Sequence, residues 1–376
     1  MRVLHLASGN MFGGIETLLV TLAKYRDVCP DMEMAAALAF DGRLSDELSA
    51  AGVPVQQLGP VRASRPGSIL MARRNLRSLL KSSSIDVAVS HGTWPHAVFG
   101  PAVRTAGIPL VLWLHNDVNG RHWIQRWASI TRPNLTICNS SFTASSLPRL
   151  FRSCSHSVVH YPVANRNAAE SAELRRAVRQ ELNTPDDSVV LLQVSRMQPW
   201  KGHRLLIDAL GRLDRRSNWV CWIVGYPQTP EEIQYRRELV EQAYSAGVSD
   251  RIRFHETRGR VDHLYGAADI FCQPNASPEP FGIVFVEAML AALPVVTTAM
   301  GGPVEFLDAS CGALAKPGDP NEVAKSLMRL IGDASLRRLL GEAGRARAQE
   351  WFDPTRQLKK LAQALSGAVA GAPATV

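Results

Sequence analysis

With 376 residues, 46% of them hydrophobic, the chain is too long for one compact core of ordinary size, and two globular domains are expected. Its formal charge of +8 is uneven: residues 1–163 hold 16 Lys and Arg against 9 Asp and Glu and the remainder 26 against 25, so the first half attracts anions, with no nucleic-acid fold signature beside the charge. Six cysteines (Cys29, Cys138, Cys154, Cys221, Cys272, Cys311) stand singly without CxxC spacing, which argues against a disulfide framework or a zinc site and fits a reducing cytoplasm.

Short β-rich apolar runs alternate with helical patterns along the whole length, the signal of an α/β chain whose parallel sheets are wrapped by helices. The opening MRVLHLAS runs straight into a strand pattern with no small-residue cleavage site, so no secretory signal is expected. Strands are expected at 3–7, 35–40, 86–90, 110–115 and 135–138. After the first of them, GNMFGGIETLLVTLA sets Gly13 and Gly14 before a helix with Leu18, Leu19 and Leu22 inside; the pair allows close backbone approach to a ligand or makes a plain turn. No segment carries GxGxxG, which disfavours nicotinamide chemistry. Between Glu47 and Asp86 there is no acid but six bases. Within that stretch, a helix over 68–81 would turn Ile69, Ala72, Leu76 and Leu80 to one side and Arg73, Arg74, Arg77 and Lys81 to an adjoining one. This is either a core helix with a solvated basic face or an interfacial helix on an anionic membrane. His115 ends the strand LVLWLH, where its imidazole would project into a cleft; a packed or capping histidine is the alternative.

The polar stretch 162–185 has no strand pattern and marks the domain junction. The expected division is 1–163, 164–353, and a C-terminal helix and loose tail over 354–376 that returns to the first domain. A second series of strands is expected at 189–195, 220–225, 252–255, 270–273 and 295–297, with helices near 203–213 and 231–246. Two such open parallel sheets facing each other would hold a ligand at the carboxyl ends of their strands. LLQVSRMQPWKGH places Arg196 and Lys201 in the first strand-to-helix loop of this series, two cations suited to a diphosphate, although loop cations are common. In PNASPEPFGIVFVEAMLAALPVV a Pro-rich loop leads to a helix from about Gly282, bracketed by Glu279 and Glu287. The helix N-terminus is a ready phosphate site; Glu287 is then either a structural carboxylate among apolar neighbours or an acceptor for a ribose diol. The apolar stretch 281–303 is broken by Glu287 and Pro294, which reads as buried core rather than membrane span. No HExxH, Asp-x-Asp or Ser/His/Asp motif is present, so phosphate charge must be met by protein groups, without a metal.

These residues together resemble family 4 of the retaining glycosyltransferases, which have the GT-B fold of two facing Rossmann-like domains with a cleft between them. The resemblance covers nearly the whole chain and rests on GGIE at Gly13–Glu16, His115 after an apolar strand, SRMQPWKG at Ser195–Gly202, Gly225, EPFGIVFVE at Glu279–Glu287, and GGPVEFLDASCGALAKPGDP. It implies transfer of a sugar, with retention, from a nucleoside diphosphate sugar (UDP- or GDP-linked) to a glycan, lipid-linked or small-molecule acceptor, by front-face attack in which the departing phosphate takes the acceptor's proton. Arg196 and Lys201 would bind the diphosphate, Glu287 the ribose, Glu279 the donor sugar or its neighbouring phosphate, and His115 would face that sugar. Gly13, Gly14, Gly225, Phe281, Gly282, Ile283 and Val284 would complete the donor site, with no metal and no cofactor besides the sugar-nucleotide co-substrate. A cytoplasmic enzyme of polysaccharide biosynthesis, peripheral on the inner face of a membrane, is the corresponding expectation; a nucleotide-sugar epimerase or a non-catalytic sugar-nucleotide binder are the rivals. Two departures touch loop geometry: Ala292 stands where the family has glycine before LPVV, and the proline of GGPVE precedes Val304 instead of Glu305.

Overall fold

The computed structural model describes residues 1–10, 13–164, 172–257 and 261–371. The chain divides into two compact units, 1–164 with 352–376, and 165–351. Part of the expected junction, 165–171, and the end of the tail, 372–376, lie outside the described residues.

The first unit is built on seven strands: β1 (Arg2–Ala7), β2 (Glu33–Leu38), β3 (Val55–Gln57), β4 (Val87–His91), β5 (Leu110–Leu114), β6 (Leu135–Cys138) and β7 (His156–Val158). They lie in the order β3-β2-β1-β4-β5-β6-β7, every pairing parallel. The second unit has β8 (Val189–Val194), β9 (Trp219–Val224), β10 (Ile252–His255), β11 (Ile270–Gln273), β12 (Val295–Thr298) and β13 (Gly312–Ala315) in the order β10-β9-β8-β11-β12-β13, again all parallel. Both units therefore wind outward from their first strand in two directions, leaving a switch point between β1 and β4 in one and between β8 and β11 in the other. Ligands of such sheets bind beyond the carboxyl ends of the strands at that point. The central strands are apolar on both faces because helices cover both, as in LVLWL and WVCWIV.

Ten strands stand within about two residues of where periodicity puts them. The other three, β3, β7 and β13, are short and lie at sheet edges, where VQQ, HSV and GALA do not show the continuous apolar run of a strand buried on both faces. In the helix Pro66–Ser82, Ala72, Leu76 and Leu80 are buried in the core under the sheet. Arg73 departs from the expected basic face: its Nε donates to the Val98 carbonyl at 2.7 Å and its Nη2 to that of Ala97 at 3.1 Å, tying this helix to Thr93–Thr105. The last helix, Pro354–Val369, is capped by Asp353 and packs on the helix Gly14–Lys24 of the first unit, and Val163 N–H donates to the Phe352 carbonyl at 3.0 Å. Ala292, where the resemblance implies a glycine, lies in the left-handed region at φ 56°, a conformation that costs a residue with a Cβ about 1 kcal/mol.

Candidate functional site

The second switch point gathers the polar residues singled out from the sequence. Arg196 and Lys201 lie in the loop after β8, and Glu279 in the loop after β11. Gly202 lets the two loops meet: at φ 76°, a Cβ there would stand 1.8 Å from the Pro274 carbonyl oxygen. Gly225 serves the same close packing from β9, since its Cβ would fall 2.0 Å from the Ser195 oxygen. Lys201 Nζ lies 2.6 Å from Glu279 Oε2 and 3.8 Å from the centre of the Trp200 ring. Gln193 Nε2 donates to the Lys201 carbonyl at 2.9 Å, and Asn275 Nδ2 to Glu279 Oε2 at 3.4 Å. Glu279 itself is pinned through its backbone, for Gly302 N–H donates to its carbonyl at 2.7 Å and a Cβ on Gly301 would come within 2.3 Å of that same oxygen. Arg196 Nη2 pairs with Glu232 Oε1 at 2.6 Å, while the other oxygen of that buried carboxylate accepts from Gln228 N–H at 2.7 Å. Both cations are thus stored against carboxylates, a local balance that an arriving diphosphate would tip.

Gly282, at φ 87°, turns the chain into the helix Ile283–Leu290. Any side chain at Gly282 would strike the Phe285 ring, 2.3 Å from the Cβ position. Ile283 and Val284 open the first turn, while Phe281 is buried with its ring 5.9 Å from Phe306, so its side chain belongs to the core. One turn along the helix, half-buried Glu287 accepts from Tyr265 Oη at 3.1 Å. Burial and the Glu287 charge push the Tyr265 phenol well above its usual range, so it stays protonated and donates.

In the first unit Gly13 N–H donates to Glu16 Oε2 at 2.9 Å, and Gly14 opens the helix Gly14–Lys24 behind β1. Glu16 of GGIE therefore caps its own helix. His115, directly after β5, is buried at 4% exposure instead of standing free: Nε2 meets His91 Nδ1 at 3.1 Å, Nδ1 meets Tyr161 Oη at 2.5 Å, and its backbone carbonyl accepts from Asn139 Nδ2 at 2.9 Å. Among the described residues, no three His, Cys, Asp or Glu side chains are grouped so as to hold a metal ion.

Glu232, Tyr265, Gly301, His5, His91 and Tyr161 escape a sequence reading because each acts on a partner distant in the chain, and Gln193 and Asn275, although their partners are eight and four positions away, because nothing in the local sequence says which way their amides turn. A signal did exist for the histidines, since LHLA, VSHG and WLHN set one in or just after three apolar strands of the same sheet.

Comparison with known proteins places this geometry. The model of glycosyl transferases group 1 matches residues 175–347, and that of glycosyltransferase family 4 matches residues 12–165. A D-inositol 3-phosphate glycosyltransferase of Salinispora tropica is 31% identical over 211 residues, 54% of this chain and 43% of that protein. Human alpha-1,3/1,6-mannosyltransferase ALG2 is 29% identical over 253 residues, 64% of this chain and 59% of its own length. The chain thus spans about half the length of the curated relatives it matches. Among solved structures, Anabaena Alr3699/HepE in complex with UDP-glucose is 26% identical with a TM-score of 0.85, covering 98% of this chain and 100% of that one. The fold is GT-B, and the chain belongs to the group 1, family 4 glycosyltransferases.

Proposed function

We propose that the chain transfers a sugar from a nucleoside diphosphate to an acceptor hydroxyl with retained anomeric configuration and without a metal ion. The observation that carries this is the meeting of Arg196, Lys201 and Glu279 at the β8/β11 switch point beside the N-terminus of Ile283–Leu290. Two cations and free helix amides suit a diphosphate leaving group. Glu287, held by Tyr265, suits a ribose diol. That HepE, at 26% identity, was crystallised with UDP-glucose supports the same class of donor. As the bond to the anomeric carbon breaks, charge grows on the departing phosphate, which Arg196 and Lys201 are placed to stabilise and which takes the acceptor's proton.

Thermal stabilisation by a panel of UDP- and GDP-sugars identifies the donor, because a ligand bound only by the folded chain raises its midpoint. Turnover then persists in EDTA, and product forms only when an acceptor is added, with the anomeric configuration of the donor. Manganese-dependent rescue would overturn the metal-free reading, and isomerised sugar nucleotide from donor alone would make the chain an epimerase. In the same calorimetry Glu287→Gln weakens nucleoside diphosphate binding by about 1.5–3 kcal/mol, the loss of a charged acceptor. Unchanged affinity makes Glu287 a structural carboxylate.

On the acceptor side we propose action at an anionic membrane surface on a lipid-linked glycan. Support comes from the helix Pro66–Ser82, where Leu70 and Met71 are 66% and 57% exposed next to exposed Arg74, Arg77 and Lys81, with Arg62 and Arg65 just ahead. Among the described residues no helix is long and apolar enough to cross a membrane; the attachment proposed is peripheral, through this basic helix, on the cytoplasmic face. Wild type should sediment with anionic vesicles at low salt, and a variant with Arg74, Arg77 and Lys81 changed to Gln should lose about 1 kcal/mol per base. Arg73 is left in place because it braces the fold. Indifference of wild type to anionic vesicles would point to a soluble acceptor.

A further inference from the structure

Within the first unit, three histidines and a tyrosine form one continuous chain of hydrogen bonds. His5 Nδ1 lies 2.9 Å from His91 Nε2, His91 Nδ1 3.1 Å from His115 Nε2, and His115 Nδ1 2.5 Å from Tyr161 Oη. The His91 and His115 rings are nearly coplanar, edge to edge, with centroids 5.2 Å apart and 7° between their planes, and the Trp113 ring lies 5.5 and 5.7 Å from them. All these side chains are buried. Burial pushes His5 down to about 4, His115 to about 3 and His91 well below its usual value, so each imidazole is neutral at physiological pH and carries one proton.

Each of the three links needs one proton, because two protons clash and none leaves lone pairs facing each other. Only two arrangements satisfy every link. Either all three histidines are protonated on Nε2, with Tyr161 donating to His115, or all three are protonated on Nδ1, with Tyr161 accepting. Any mixture breaks at least one buried link, which the low dielectric around it makes costly. The chain of rings also spans the β1/β4 switch point, since His5 sits on β1, His91 ends β4 and His115 follows β5.

We infer that His5 and His91 share one tautomer with His115 and act as positioning residues that hold its ring in a single orientation and donor pattern. This rests on the proposed sugar transfer and on the reading, implied by the family resemblance, that His115 faces the donor sugar. A hydroxyl reaching that imidazole meets it at Nδ1, by displacing Tyr161; displacing His91 from Nε2 would leave the buried His91 Nδ1 without its partner and break the link to His5 and His91. The histidine side of the chain is the fixed one, and the Tyr161 side is the exchangeable one.

Ring-nitrogen NMR of the full chain, with no ligand, tests this directly. Wild type should show one common tautomer for His5, His91 and His115. His91→Leu should shift the ring-nitrogen signals of His115, and His91→Asn, whose amide reaches the Nδ1 position, should return them towards wild type. In turnover, His91→Leu lowers kcat about tenfold with the donor KM changed less than about twofold, and the Asn variant recovers most of it. If His91→Leu does not fold, His5→Leu breaks the chain one link further away and carries the same readouts. Mixed tautomers in wild type, or His115 signals indifferent to both leucine variants, overturn the inference. Absence of any sugar transfer by wild type would instead overturn the functional reading, while the nitrogen signals would still decide whether the three histidines are tautomer-locked.

Discussion

Lys201→Ala should lower turnover by about 10²–10³ while leaving the fold intact, the range seen when one donor aimed at developing charge is removed. Two effects combine in that loss. The ammonium is a mobile point charge on a flexible stem, held in the free protein by Glu279 and by the Trp200 ring. When a diphosphate arrives it can redistribute towards the phosphate without leaving the carboxylate far behind. Its removal also strands Glu279, which is buried and keeps only Asn275 among the side chains seen to bond it. The double variant Lys201→Ala with Glu279→Gln separates these contributions. If the single loss came mainly from a stranded carboxylate, the double variant regains activity; if Lys201 stabilises the leaving group, it does not. Single-turnover rates with saturating donor are the measurement, and a near-normal rate in Lys201→Ala would refute the assignment. Arg196 differs in degree, because Glu232 holds it on a separate helix, Pro230–Ser245, and Arg196→Ala leaves that carboxylate with its Gln228 amide.

The largest effect on stability is expected from Arg179→Met, far from the proposed chemistry. Arg179, on the helix Ala172–Glu181, is only 2% exposed, and four of its donor contacts are made inside the second unit. Nε donates to the Ala267 carbonyl at 3.1 Å, Nη1 to those of Asp186 and Ser188 at 2.9 and 3.0 Å, and Nη2 to Asp269 Oδ2 at 2.7 Å. Asp269 in turn accepts from Val190 N–H and from Arg175, so one guanidinium ties the helix to β8 and to the start of β11. Methionine fills the volume but takes the guanidinium donor from three carbonyls and leaves Asp269 with Arg175 and the Val190 amide alone, a loss of about 3 kcal/mol. In a unit of this size that lowers the unfolding midpoint by about 10 °C. Arg179→Lys should rescue little, since an ammonium cannot match the planar fork. Differential scanning calorimetry with both variants is the check, and a shift of only one or two degrees would mean that water replaces the lost bonds.

The α/β class, ten of the thirteen strands among the described residues and the polar groups of the proposed donor site are legible in the amino-acid order. A parallel sheet buried on both faces writes its strands as continuous apolar runs, and a phosphate site must place its cations in the loops that follow them. Arg196, Lys201, Glu279 and Glu287 were found that way, because strand ends and helix starts are local events. What each side chain meets was not local. The pairing of Lys201 with Glu279 spans 78 positions, that of Arg196 with Glu232 spans 36, and His5 reaches His91 across 86. Gly301 and Gly302 illustrate the same division: their presence is plain in the sequence, but only the folded chain shows that the Glu279 and Pro280 backbone fills the space a Cβ would need. Arg73 is the converse case, a residue whose helical position was read correctly and whose role was not, because its carbonyl acceptors lie on another helix. The sequence alone determined which elements form and which carry charge; the tertiary structure decided which charges are free and which are held, since burial and hydrogen-bond partners are properties of distant segments brought together.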